Sequence, residues 1–306
     1  MTRLMTVVMA AMLLLFGTSC EHKELCYNHS HFVKVRVVFD WEGVSQDERP
    51  EGMRVVFFPS SGDGETWTFD FPGGEDATVE VPGRNYHVVC YNYDVEGIVW
   101  ENEDNYDTFK ANTVSASSPE GEDMRLTTSR LYGDYIQSVS LPLTENDEEY
   151  LVSLAPRKQV CYYTFEVHGV ENIGAISDMR ASLSGMSGGL IMGGDKLPEN
   201  LSESLLFTCK ITGSTISGSF YTFGYNDESN IFKLYLKNRS GKVYVVEQDV
   251  SQQIHDEPVT GHVGDVHIDI YVSYRVPAEP ITGGDGGPGF DIGADDWEDV
   301  DIDITI

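Results

Sequence analysis

The chain has 306 residues, with 20 Lys and Arg against 50 Asp and Glu for a net charge of −30, and is 41% hydrophobic and 11% aromatic. A surface this acidic repels nucleic acid and anionic headgroups, which excludes binding to either through the bulk of the protein, and the apolar content is too high for a disordered chain. The length sits at the upper edge of one hydrophobic core and is comfortable for two domains.

Residues 1–19 predict an export signal. Arg3 supplies the positive n-region, Leu4 to Phe16 is apolar apart from Thr6, and Gly17-Thr18-Ser19-Cys20 closes the run with small residues and a thiol. The run is shorter than the roughly 18–20 residues that span a bilayer as a helix, and it fits an h-region followed by a cleavage site. Its end resembles a bacterial lipobox, with Gly17 standing where leucine is usual. Cys20 is therefore expected to be the mature N-terminus, tethered to a lipid leaflet by acyl chains whose buried methylenes each contribute about 0.8 kcal/mol. The alternative is an ordinary cysteine near the start of a secreted protein.

Residues 20–30 are polar and read as a tether. From His31 the period changes to two: Val33, Val35, Val37, Phe39 and Trp41 share one face, and Lys34, Arg36 and Asp40 the other, which predicts a strand with one side in a core. Met53 to Phe58, Thr66 to Phe71, Ala77 to Val81 and Tyr86 to Tyr93 follow as short strands separated by Gly- and Pro-containing turns. Short strands at such intervals describe a β-sandwich. Glu96 to Arg125 is acidic and polar and is expected to be a long, less regular excursion, with a strand at Phe109 to Val114. Leu131 to Ile136 is expected to form a short helix or turn. A domain boundary is expected near Pro156, giving an N-terminal domain over 31–155 and a C-terminal domain over 156–278.

The second domain repeats the first one's grammar. In Gln159 to Gly169 the face of Cys161, Tyr163, Phe165 and Val167 is the better core face. Further strands are expected at Ile173 to Leu183, Leu205 to Ile211, Thr215 to Phe223, Ile231 to Leu236, Val243 to Glu247 and Val266 to Val276, with a helical turn or short helix at Val250 to His255. Residues 279–306 are a Gly-rich spacer and an acidic end in which Val300, Ile302, Ile304 and Ile306 alternate with Asp299, Asp301, Asp303 and Thr305. That terminal strand either packs on the second domain as a soluble edge or adds to another subunit's open sheet.

No catalytic constellation emerges. His255, His262 and His267 form a loose cluster without the spacing of a helical zinc motif, and Ser184-Gly185-Met186-Ser187-Gly188 does not fit a nucleophile elbow. Gly283 to Asp296 offers oxygen ligands but no calcium-binding repeat. No metal and no cofactor is therefore expected. With Cys20 lipidated, Cys26, Cys90, Cys161 and Cys209 remain; they are spaced too widely for a disulfide framework, and buried free thiols and a disulfide both stay open. Trp41, Trp67, Trp100 and Trp297 either line a binding groove or fill sandwich cores, and the parity of Trp41 places it in a core.

Several stretches together resemble one family. They are Cys20 in its lipobox, Cys26 to His31, the strand end Val37 to Trp41, Pro50 to Val55, Pro82 to Asp94, Ala181 to Gly189, and the spacer leading to Trp297 and the alternating tail. These are similar to Bacteroides-type lipoproteins related to the FimB/Mfa2 fimbrial anchor and accessory proteins. The resemblance implies an all-β protein of two consecutive transthyretin-like β-sandwich domains with an acidic C-terminal strand, and no enzymatic activity. It implies residence at the outer membrane through acyl chains on Cys20, facing outward, and fimbrial subunits as partners engaged by strand donation. The expected function is that of a fimbrial anchor, accessory or minor subunit in adhesion. A surface lipoprotein that binds glycans or host ligands, with no fimbrial role, is the alternative.

Overall fold

The computed structural model describes residues 32–143, 149–199, 201–227, 229–256 and 264–277. The first strands are β1 (Phe32–Phe39), β2 (Gly52–Pro59), β3 (Trp67–Pro72), β4 (Ala77–Pro82) and β5 (Arg84–Asn92). The middle of the chain supplies β6 (Ile98–Glu101), β7 (Lys110–Thr113), β8 (Ser115–Ser117), β9 (Asp123–Leu126), β10 (Tyr132–Leu141), β11 (Glu149–Leu154) and β12 (Arg157–Lys158). The remainder forms β13 (Cys161–Glu171), β14 (Ile176–Ser187), β15 (Gly189–Ile191), β16 (Ser202–Thr208), β17 (Lys210–Thr212), β18 (Thr215–Thr222), β19 (Ile231–Asn238) and β20 (Val243–Asp249), then helix α1 (Ser251–Asp256) and β21 (Asp265–Arg275). The architecture is largely all-β, in several packed, mainly antiparallel sheets.

Alternation of side chains builds the first core. Val33, Val35, Val37 and Phe39 of β1 point inward from the sheet β11-β1-β4 and meet Met53, Val55, Phe57, Val88 and Cys90 of the sheet β12-β10-β5-β2-β3. Strands β2 and β5 are apolar on both faces. Their other faces present Val56, Phe58, Val89 and Tyr91 to a further core, covered by the small sheet β15-β7-β6. This explains why Met53 to Phe58 reads as a continuous apolar run: a strand buried on both sides has no wet face to mark its period.

The second large core lies between the sheet β17-β18-β13-β21 and the sheet β20-β19-β14-β16-β9-β8. Tyr163, Phe165 and Val167 face Phe207, Phe232 and Leu234 across it, with Phe207 and Phe220 stacked at 3.9 Å between ring centroids. Strand β21 joins β13 in parallel, with Glu166 opposite Asp269, and the register shifts between His168 and Val170. Gly169 sits at that irregularity with φ +83°, directly beneath the Val272 carbonyl.

Hydrogen bonding crosses residue 156 in two places. Strands β8 and β9 belong to the second core's sheet, where β9 runs parallel to β16. Strand β15 returns the exchange by pairing with β7, Leu190 opposite Ala111. Leu190, Met192 and Phe223 from the later half thus share a core with Phe58, Tyr91 and Phe109 from the earlier one.

Two expectations are corrected. Leu131 to Ile136 is not a helix or turn: Tyr132 opens β10, which pairs antiparallel with β5, and a bulge between Ile136 and Val139 interrupts the alternation that would have marked it. Glu96 to Arg125 is more regular than expected, holding the four strands β6 to β9, each only three or four residues long. Their burial rests partly on polar residues: Asn112 and Thr113 are buried, and Thr113 donates from both its backbone N–H and its hydroxyl to the Gly188 carbonyl.

Helix α1, expected at Val250 to His255, is pinned by Asn230. This side chain is wholly buried; its amide donates to the Ser184 carbonyl at 3.0 Å and its Oδ1 lies 3.0 Å from His255 Nε2, while its backbone N–H donates to Ser251 Oγ. Leucine at this position keeps the volume but strands the Ser184 carbonyl and the imidazole. Asn230→Leu is expected to lower stability by about 2–4 kcal/mol, each orphaned buried partner costing about 1–3. A fall in the urea unfolding midpoint, with the slope unchanged, is the measurement that checks it.

Candidate functional site

Cys20 and the tail positions Val300, Ile302, Ile304 and Ile306 lie outside the described residues, as do Cys26, His262 and Trp297. Among the described residues no helix is long and apolar enough to cross a membrane.

The described cysteines offer no nucleophile. Cys90 is a fully buried free thiol on β5, and burial pushes its ionisation well above the ordinary range. Burial raises Cys161 and Cys209 to about 12 each. At neutral pH all three are thiols, and it is the thiolate that reacts.

The tryptophans are core residues. Trp41 is buried on the face that parity assigns it and donates from Nε1 to the Gly74 carbonyl at 3.2 Å. Trp67 packs on the first core, with Phe32 edge-on at 5.3 Å. Trp100 lies against Tyr91 at 4.1 Å and Phe109 at 5.4 Å. None of the three is left to line an open aromatic groove.

The histidines separate. His255 is stacked on Tyr225 at 4.6 Å and held by Asn230, which is a structural role. His267 instead sits on the outward face of β21, where the parallel register brings it beside residues the sequence did not group with it. On that face Glu166 and His168 of β13 meet His267 and Asp269 of β21. Asp269 Oδ1 lies 3.6 Å from His168 Nε2 and 3.5 Å from His267 Nε2, and Glu166 Oε2 lies 3.6 Å from His168 Nε2. Strand β21 itself is an edge: its inner side chains Val266, Ile268 and Ile270 fill the second core, β13 occupies one flank, and no other strand pairs with it among the described residues. An edge of this kind presents backbone donors and acceptors to an added strand.

The comparisons with known proteins fall on this architecture. The family model described as a domain of unknown function, DUF5119, matches residues 19–208. The "Putative fimbrium anchoring subunit Fim4B" of Bacteroides ovatus is 36% identical over 109 residues, which is 35% of this chain; the matched stretch spans 31% of that protein's length. A "putative adhesin" of Bacteroides ovatus shares the fold with a TM-score of 0.65 at 22% identity, over 86% of this chain and 99% of its own. The fimbrial anchor protein Mfa2 of Porphyromonas gingivalis does so at 0.52 and 12% identity, over 78% and 91%. Fold and family together support a non-enzymatic protein. Since the family model covers more than half of its length, the chain belongs to the DUF5119 family, and it is related in sequence or fold to Bacteroidales proteins of the fimbrial and adhesin kind.

Proposed function

We propose that the protein is a surface lipoprotein acting as a fimbrial anchor, accessory or minor subunit in adhesion. Cys20 is its mature N-terminus, and acyl chains on that residue hold it in the outer-membrane leaflet, facing outward. Residues 20–30 lift two consecutive transthyretin-like β-sandwich domains, dividing near Pro156, from the lipid. The alternating tail with Val300, Ile302, Ile304 and Ile306, or an exposed edge such as that of β21, then engages a fimbrial subunit by strand addition. The observation that carries this reading is the 36% identity to a fimbrium anchoring subunit over 109 residues, in a chain whose first twenty residues read as a lipoprotein signal. The alternative of a surface glycan- or host-ligand-binding lipoprotein loses its main sequence support once Trp41, Trp67 and Trp100 are assigned to cores.

Expression of the full chain in its native cells tests the reading. Wild-type protein is expected to sediment with membranes, to resist high salt and to yield a diacylated Cys20 peptide by mass spectrometry, whereas Cys20→Ala is expected in the soluble fraction. Photo-cross-linkers at Ile302, Ile304 and Ile306 are expected to give adducts with a fimbrial subunit. An unmodified wild-type terminus on freely shed protein overturns the anchor, and a lack of adducts while the anchor holds overturns tail-mediated assembly.

A further inference from the structure

The outward face of the β13–β21 pair carries an electrostatic problem that the fold does not solve by itself. Glu166 and Asp269 are direct register partners on neighbouring strands. Like charges in that position repel, which destabilises the pairing of an edge strand already secured on one flank only. A cation seated between the two carboxylates removes the repulsion.

We propose that Glu166, His168 and Asp269 bind a divalent transition-metal ion of the Zn²⁺ class on the outer face of β13 and β21, with His267 as a positioning residue for Asp269. The ligand atoms of the three all lie within 4.8 Å of one another, the one such group among the described residues. His168 Nε2 stands 3.6 Å from each carboxylate. These gaps are too long for good hydrogen bonds, yet they are close to the separation of roughly 3.3–3.4 Å between ligand atoms in a tetrahedral site with bonds near 2.0–2.1 Å. Imidazole nitrogen with two carboxylate oxygens is a donor set for zinc and its neighbours rather than for calcium, which takes six or more oxygens.

The surroundings hold the ligands in place. The His168 ring stacks on Tyr271 at 4.9 Å with 17° between planes, which sets the direction of Nε2. His267 approaches the same Asp269 oxygen from the next row of the sheet, and its Nδ1 is 2.8 Å from the Thr164 hydroxyl. The tautomer that satisfies both neighbours has the hydroxyl donating to Nδ1 and the Nε2–H directed at Asp269. A carboxylate ligand restrained by an outer histidine is a common device in metal sites. All four side chains are partly open to solvent, so an ion can enter and water can complete its coordination.

The test uses the full chain, stripped with chelator and titrated with Zn²⁺, with Co²⁺ as a spectroscopic probe and Ca²⁺ as the control for scattered carboxylates. One Zn²⁺ per chain is expected, bound at least about 100-fold more tightly than Ca²⁺, with visible Co²⁺ absorption of low-coordinate type. His168→Ala is expected to weaken Zn²⁺ by about 100-fold or more. His267→Gln and Thr164→Val, which leave the three ligands intact, are expected to weaken it by about 10-fold each, in the range found for outer-sphere partners. Zn²⁺ bound no more tightly than Ca²⁺ overturns the proposal, as does wild-type Zn²⁺ affinity in His168→Ala and Asp269→Asn. Either result would leave His168 as a simple protonated bridge between two acids.

Discussion

Gly169→Ala is expected to destabilise the protein by about 4 kcal/mol, the larger part of the stability of a typical domain. Two independent costs combine at this position. The backbone holds φ +83°, a region where a residue with a Cβ is strained by about 1–3 kcal/mol. A Cβ there would also fall well inside the van der Waals envelope of the Val272 carbonyl oxygen, which is backbone of the neighbouring strand and cannot rotate away. Relief requires β21 to shift from β13 just past His168, where the register already changes. The expected result is therefore a lowered unfolding midpoint together with faster amide exchange along Asp265–Arg275. Gly174→Ala serves as the control: nothing lies within 4 Å of its Cβ position, so a change within about 0.5 kcal/mol is expected. Equal effects at the two glycines would mean that the tight passage under Val272 is not a constraint.

Phe165→Ala is expected to cost about 3–5 kcal/mol. The ring is buried at the centre of the second core, 5.2 Å from the ring of Phe232 and 5.4 Å from that of Phe207. Its neighbour strand is cut to fit it: a Cβ on Gly218 would stand 2.7 Å from the edge of the Phe165 ring. The backbones of β13 and β18 are locked in register across this pair, so the space left by alanine cannot collapse fully and persists as a cavity. Phe165→Leu keeps most of the volume and is expected to lose no more than about 1.5 kcal/mol. Chemical denaturation of the three proteins distinguishes a cavity from a general loss of hydrophobic area. If leucine and alanine are equally costly, shape at this position matters more than volume.

The parts of the fold that could be read beforehand are those where one face is dry and the other wet. Val33, Val35 and Val37, and again Tyr163, Phe165 and Val167, alternate because their strands separate a core from solvent, and the structure buries those side chains. Where that contrast is missing, the reading thins. Strands β2 and β5 reveal themselves as strands but give no sign that a further sheet covers their backs. Strand β7 is buried through Asn112 and Thr113, whose partner Gly188 lies far along the chain, so polarity there suggested an excursion rather than a pairing. At β10 a bulge splits the alternation in two.

The outward cluster was invisible for a different reason. Grouping histidines by proximity along the chain joined His255, His262 and His267, yet His255 belongs to Asn230 and Tyr225. The neighbour that His267 acquires through Asp269 is His168, and only the parallel register of β13 with β21, set about a hundred residues apart in sequence, brings them together. No local pattern carries that information.

Reciprocal lending of strands between the earlier and later parts of the chain has a consequence for inheritance and engineering. Severed at the midpoint, neither fragment is self-sufficient: one loses the sheet that receives Asp123–Leu126, the other the strand that Gly189–Ile191 completes. The halves cannot be shuffled like beads on a string. A graft, a chimaera or a recombination event that respects this molecule has to move it whole.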